Sequence, residues 1–402
     1  MSYATPIRDL RFSLDHMAGL PALIRSGACP DLTPDIADAI LSEAAKFCDG
    51  AVAPLNWLSD RNPARLENGA VRTSPGFREA YRAYVEGGWN ALAFPEEWGG
   101  QGLPQTLAVA LVDALNGASM SFAIGTTLTT GAVKAILHAG TDDQKKTYLP
   151  KLVSGEWTGT MNLTEPQAGS DLSELRAKAV PAGDGTYRIS GQKIFITYGD
   201  HDLSDNIVHL VLARLPDAPP GTAGISMFVV PKRHVNADGS LGNRNDVKCI
   251  KLEEKMGLHG SPTCVMVYGE QGNCVGTLLG EPHKGLKTMF VMMNAARLDV
   301  GVQGVGVAEA AFQRALSYAQ ERRQGKAAGV KSGGMVPIYE HADVRRMLYS
   351  MKSLVEASRA ICFATAVNYD LARHAPDEAQ RKKAKALEEL LTPIAKGWST
   401  DR

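Results

Sequence analysis

The sequence has no surplus of either charge. Its 43 lysines and arginines balance 43 aspartates and glutamates, so no broad field draws the chain to nucleic acid or to an anionic membrane. Cysteine is sparse: Cys29, Cys48, Cys249, Cys264, Cys274 and Cys362 are scattered, with no C-x-x-C. That spacing argues against a zinc ribbon or a disulfide framework and leaves small buried residues of a reducing compartment, or occasional surface thiols. The nine histidines include no H-E-x-x-H, and no metal is expected. No G-x-G-x-x-G follows a strand, so a Rossmann dinucleotide site is unsupported. The opening MSYATPIRDLRF lacks the apolar run behind a basic start that marks a signal peptide. No stretch reaches the roughly 18 apolar residues of a transmembrane helix. With neither repeat nor low-complexity tract, the expectation is a soluble, cytoplasmic protein.

What is present is a chain of 402 residues, too long for one ordinary core and long enough for two or three domains. Pro6, Pro21 and Pro30 break the opening into short pieces. Thr33-Pro34 is a helix start, a capping hydroxyl followed by proline at the first helical position, with Ile36, Ile40, Ala44 and Phe47 following on one face. Helical runs follow near Pro75 to Glu86, Pro104 to Asn116, Gly131 to Ala139 and Thr141 to Ser154. The loop AFPEEWGGQGLP lies among them, with Trp98 as its packing anchor. From Glu156 the apolar period changes from 3.6 to 2. Short strands are predicted at Gly185 to Ser190, Ile194 to Thr197, Ile207 to Leu215, Gly224 to Lys232, Val247 to Glu254 and Thr263 to Tyr268. Helical periodicity returns over Leu286 to Arg322, where Met289, Met292, Met293, Leu298, Val302, Val305 and Phe312 read as packing and the small residues Gly301, Gly304, Gly306 and Ala308 permit close helix crossings. Helices from Tyr339 to His374 and from near Asp377 complete the chain, the last with Leu387, Leu390, Leu391, Ile394 and Trp398 on one face. The fold class is α+β and multidomain: an N-terminal helical domain over 1–155, a middle small β-barrel or sandwich domain over 156–281, and a C-terminal helical domain over 282–402.

Two segments of the middle domain carry chemistry together. In MNLTEPQAGSD, Met161 to Asp171, Pro166 fixes a bend and is followed by small residues, a hydroxyl and a free glycine backbone. Such a loop can bring N–H groups and hydroxyls against a flat polar heterocycle or a phosphate; it also reads as a strand-to-turn connection with Ser170 or Asp171 capping a short helix. IFITYG, Ile194 to Gly199, is a β-branched run that delivers Phe195 and Thr197 to one place, and alone it reads as a core strand.

These two segments, with WGGQG near Trp98, KMGLHGSPTC from Lys255 and NAARLDVG from Asn294, resemble the acyl-CoA dehydrogenase family of flavoenzymes, in the family's order and from about Leu92 to Arg402. Within it, the long loop wording from Thr197 to Ser226 is most similar to the larger enzymes that include the 3-methylmercaptopropionyl-CoA dehydrogenases. The resemblance implies FAD as cofactor, an acyl-CoA substrate, an electron-transferring flavoprotein as acceptor, and a homo-oligomer, dimer or tetramer; it implies no nucleic acid and no membrane span.

Carried over residue by residue, the resemblance places Met161, Leu163, Thr164, Gly169, Ser170, Phe195, Thr197 and Arg322 at the cofactor. Thr164 bonds the flavin ring edge near the hydride-accepting nitrogen, and Ser170 sits near the pyrophosphate or the CoA-side entrance. Phe195 covers one ring face where many relatives have Trp, Thr197 bonds the polar edge, and Met161 replaces a frequent Tyr. Arg322 reaches the pyrophosphate of a neighbouring subunit's FAD; as a helix-end cation it also suits the local dipole. Arg297 lies near the acyl-CoA channel, and a structural ion pair is the alternative. Oxidising carbons 2 and 3 of an acyl thioester to a trans-2-enoyl product needs a base, a hydride acceptor and stabilisation of the carbonyl charge; no side chain accepts a hydride, so a redox cofactor is required. Some relatives place the base where this chain has Ala296, which cannot abstract a proton, and Glu165 reads as a backbone organiser. No catalytic residue is assigned within the chain: the expectation is a truncated sequence whose glutamate base lies beyond Arg402. An acyl-CoA oxidase on the same fold is the alternative reading, and a flavin-binding relative that contacts nucleic acid is the alternative of another class.

Overall fold

Short β-branched segments punctuated by glycine and proline become strands once a partner completes their hydrogen bonds, and the computed structural model, which describes residues 3–329 and 333–401, assembles eight of them into one sheet. They are β1 (Trp157–Asn162), β2 (Lys178–Pro181), β3 (Tyr187–Thr197), β4 (Asn206–Arg214), β5 (Ile225–Pro231), β6 (Val247–Leu252), β7 (Thr263–Tyr268) and β8 (Val275–Leu279). Their order is β6-β7-β3-β8-β5-β4-β1. β2 pairs antiparallel with β3 and meets β4 at Lys178 and Arg214. It thereby closes a ring of β3, β8, β5, β4 and β2, so of the barrel or sandwich expected of this region the barrel is formed. β1 runs parallel to β4, from Trp157 opposite Asn206 to Asn162 opposite Val211.

Gly185 to Ser190 and Ile194 to Thr197 are one eleven-residue strand, not two. Three further strands of this sheet, β1, β2 and β8, escape a periodicity search. β1 carries threonines, Gly159 and Asn162 on a buried strand, and β2 and β8 are four and five residues long, too short to show a period.

The chain divides into two compact units, Met1–Pro54 with Leu103–Met120 and Arg297–Arg402, and Leu55–Gly102 with Ser121–Ala296. The second unit holds the sheet, and its core joins Val208, Leu210, Leu212, Phe228 and Val230 to Ala132, Ile136, Leu149 and Leu152 from helices and to Met289 and Met292. Trp98 packs against this core, as an anchor of its loop should. Thr141 caps the Asp142–Ser154 helix in a full capping box with Gln144.

In the first unit, Thr33 accepts the Ile36 N–H and Pro34 opens its helix as expected. The buried stripe of that helix is Ala37, Leu41, Ala44 and Ala45; Ile36 is exposed. The last helix, Glu378–Asp401, differs likewise: Leu390 and Ile394 are exposed, and Ala384, Ala395 and Ser399 are buried. The physical reason is close approach. A Cβ on Gly301 would lie 2.9 Å from the Ala395 carbonyl oxygen, and one on Gly304 would lie 2.2 Å from that of Ser399. Two backbones this near admit only small residues between them.

Arg359, fully buried in this unit, bonds Asp113 at 2.7 Å, Glu356 at 2.8 Å and Glu309 at 3.2 Å. Gln105–Ala139 is one run interrupted at Ser119, whose φ of −162° and ψ of 102° leave the helical region, so the gap expected between two helices is instead a local break. By length and hydropathy this run is apolar enough to cross a membrane, contrary to the sequence expectation, but 78% of its most apolar window is buried in the protein.

Candidate functional site

The loop that follows β1 and the end of β3 are tied together at three successive residues. The Lys193 ammonium donates to the Leu163 carbonyl at 2.9 Å and to Glu165 Oε1 at 2.8 Å. The Ile194 N–H donates to the Thr164 carbonyl at 2.9 Å. Glu165 closes the bend through reciprocal backbone bonds with Ala168 and accepts the N–H groups of Arg176 at 2.7 Å and Ala177 at 3.0 Å. Asp171 caps the short turn at Leu172–Glu174 by accepting the Ser173 N–H at 2.8 Å. Arg214 braces the far side, donating to the carbonyls of Leu175 and Ser173.

The Lys193–Glu165 pair is an ion pair inside the protein, 0% and 3% exposed. Burial pushes the Lys193 ammonium down to about 8, against the opposing pull of Glu165. For Glu165, burial works upward, and the Lys193 charge with the two backbone N–H donors outweighs it to hold the carboxyl below its ordinary range. Both groups are therefore charged at neutral pH.

Just after Lys193 the strand departs from regular pairing. Cys264 faces Ile196 and Met266 faces Lys193, so three steps on β3 match two on β7, which is a bulge with one extra residue. Phe195 takes a φ of +59°, uncommon for a bulky side chain, and is 60% exposed. Lys193 and Ile196 on either side stay buried. Beyond Thr197 the chain is fixed again: Tyr198, at φ +50°, donates its hydroxyl to the Ser121 carbonyl at 2.6 Å, and a Cβ on Gly199 would lie 2.9 Å from Cys264 Cβ, so only glycine fits.

The structure thus brings Leu163, Thr164, Phe195 and Thr197 into one tied segment pair. Thr164 and Thr197 are half-buried, and among the described residues neither hydroxyl has a hydrogen-bond partner in the protein. Two half-buried hydroxyls without partners beside an exposed aromatic suit a flat heterocycle with polar edges, so the residues present fit a flavin. Met161 ends β1 half-buried, and Gly169 and Ser170 lie exposed in the loop. Arg297 and Arg322 belong to the first unit; Arg297 is half-buried and Arg322 exposed. Residue 402, the landmark for the expected base, is outside the described residues.

Sequence reasoning missed Lys193 and Arg214. The signal for Lys193 was available: on a strand whose alternate residues Ile189 and Gly191 point inward, a lysine at 193 also points inward and demands a buried carboxylate. Arg214 carried none, because its partners are loop carbonyls.

Comparison with known proteins gives a consistent result along the chain. The family profiles "Acyl-CoA dehydrogenase, N-terminal domain", "middle domain" and "C-terminal domain" match residues 35–156, 160–270 and 283–392. The chain is 48% identical over 402 residues to the 3-methylmercaptopropionyl-CoA dehydrogenase of Ruegeria pomeroyi, covering 100% of this chain and 68% of that protein. It is 38% identical over 410 residues to a butyryl-CoA dehydrogenase of Syntrophomonas wolfei, covering 100% and 67%. Among solved structures, the acyl-CoA dehydrogenase of Bacillus anthracis complexed with FAD shares the fold, with a TM-score of 0.74 at 23% identity over 97% of this chain and 62% of that one.

Proposed function

The chain belongs to the acyl-CoA dehydrogenase family of FAD-dependent oxidoreductases, and from that premise we propose how its own residues serve the oxidation of an acyl-CoA to a trans-2-enoyl-CoA. FAD supplies the acceptor for the β-hydride, which no side chain provides. Thr164 and Thr197 direct their hydroxyls to the polar edges of the flavin ring, Phe195 covers one of its faces, and Leu163, Met161, Gly169 and Ser170 complete the binding loop. Arg322 serves the pyrophosphate of a neighbouring subunit's FAD in a homo-oligomer, and Arg297 lies beside the acyl-CoA. The observation that carries this reading is the pair of half-buried, unpartnered hydroxyls held beside an exposed aromatic by the ties between residues 163–165 and 193–194.

The substrate we favour is 3-methylmercaptopropionyl-CoA or a similarly short acyl-CoA, supported by 48% identity to the Ruegeria enzyme. An electron-transferring flavoprotein takes up the electrons, and the cytoplasm is the site of action. The proton-abstracting glutamate is proposed to lie outside these 402 residues. Supporting this, position 296 is alanine and Glu165 is fully engaged by Lys193, Arg176 and Ala177.

Reconstitution tests the proposal. The purified chain should take up FAD and turn yellow, and should oxidise 3-methylmercaptopropionyl-CoA or butyryl-CoA very slowly. Protein that stays colourless with FAD overturns the flavin reading. Brisk turnover by residues 1–402 alone places the base within them.

A further inference from the structure

Resting on the flavin reading above, we propose that Lys193 and Glu165 act as a positioning pair that sets where the Thr164 hydroxyl and the Phe195 ring meet the cofactor, a role separate from holding the β-domain together.

Thr164 is the residue between Leu163 and Glu165, and both neighbours are gripped by the single Lys193 ammonium at 2.9 and 2.8 Å. Phe195 lies two residues beyond that same lysine, on the extra residue of the bulge. One buried cation therefore fixes both sides of the ring-binding arrangement, and no other side chain bonds to both segments among the described residues. Glu165 extends the grip to the start of β2 through the Arg176 and Ala177 N–H groups, and Gln167 donates to it at 2.6 Å.

The rest of the domain has other support. The ring of strands is stitched by its own backbone pairs, and its core is built from Val208, Leu210, Leu212, Phe228 and Val230. A fully buried ion pair is an expensive way to gain stability, since apolar residues of similar volume hold a core as well or better. What such a pair provides is direction: two charge-assisted bonds from one ammonium, to Leu163 and Glu165, tolerate little change in angle or distance. The group sits next to a left-handed phenylalanine, and an arrangement of that kind persists only where its surroundings over-determine it.

The test uses the whole 402-residue chain and three proteins: the parent, Lys193→Met, and the neutral double variant Lys193→Met with Glu165→Gln. FAD affinity is measured by quenching of flavin fluorescence, the environment of the ring by the visible absorption bands of bound flavin, and folding by circular dichroism during heating. Lys193→Met leaves a buried carboxylate without its counter-charge and should melt early. The double variant removes that penalty and should recover most of the melting temperature, yet bind FAD at least tenfold more weakly with displaced flavin bands. A double variant that melts like the parent and binds FAD with the parent's affinity and spectrum overturns the proposal. So does a double variant that fails to fold, because the pair would then serve the domain as a whole. A parent protein that takes up no FAD is a different outcome: it defeats the flavin reading itself.

Discussion

His209 holds Thr160 through Nδ1 at 2.7 Å, while its Nε2 is buried without a partner in the protein. The bond begins a polar chain inside the β-domain: Asn162 donates to Thr160, and Tyr268 donates to Asn162. A second imidazole, His201, meets Thr158 at 2.9 Å. Burial, before any neighbouring charge, pushes both down to about 3 from an ordinary 6.5.

Those two imidazoles make stability depend on pH. The unfolded chain protonates them below about pH 6.5, whereas the folded chain refuses the protons until about pH 3. Stability is therefore intact above the upper limit and falls through the window by about 1.4 kcal/mol per pH unit for each imidazole. Urea unfolding between pH 7 and pH 4 measures this. A midpoint that stays flat over that interval contradicts neutral, buried imidazoles.

Thr164→Val and Thr197→Val separate binding from folding. Neither hydroxyl bonds within the described protein, so each change should leave the melting temperature within a degree or two. Each should weaken FAD binding by about 0.5–1.5 kcal/mol, the net worth of one hydrogen bond. Calorimetric titration with FAD distinguishes this from a merely structural threonine, which would lose stability and keep its affinity.

Phe195→Gly sets two effects against each other. Relief of a left-handed backbone is worth about 1–2 kcal/mol, which offsets the flexibility that glycine adds and the little packing lost from a side chain 60% exposed. Net stability should stay within about 1 kcal/mol. FAD affinity should fall several-fold with loss of the aromatic contact, worth about 0.5–1.5 kcal/mol. A variant with unchanged affinity removes Phe195 from the cofactor.

Arg359→Leu probes the first unit. Burial acts against the guanidinium's charge, yet Asp113, Glu356 and Glu309 hold it above its ordinary range, while burial pushes the Asp113 carboxyl up. Removing the arginine leaves the buried Asp113 carboxylate without its counter-charge, while Glu356 and Glu309 keep Lys352 at 2.7 and 4.0 Å, and should cost about 3–5 kcal/mol. Denaturant unfolding measures it, and a loss below 1 kcal/mol would show that the carboxylates reach solvent or bind protons cheaply.

Much of this molecule was readable in its sequence. Thr33, Thr141 and Asp171 announce their caps because capping is local chemistry. Thr164, Phe195 and Thr197 were singled out through the agreement of two separated motifs, and the fold ties the two segments together. What stayed hidden depends on distant partners. Ile36 and Leu390 look like core residues by periodicity alone but are exposed; on the last helix, only the approach of Gly301 and Gly304 to its backbone explains why Ala395 and Ser399 are buried instead. The single strand across Tyr187–Thr197 was hidden by Gly191, Gln192 and Lys193, whose glycine, amide and charge interrupt the apolar pattern between the two expected strands. Lys193 belonged to both kinds: its inward position could be counted, but its grip on Leu163 required the fold.

The bulge on β3 also insulates one position from the rest of the sheet. The inward row runs from Ile189 and Lys193 to Ile196, shifted by the extra residue, and leaves the residue at 195 facing outward. A larger indole or a smaller ring can be exchanged there without compensating change in the barrel. The side chain at 195 can therefore change in size while the interior of the sheet stays fixed.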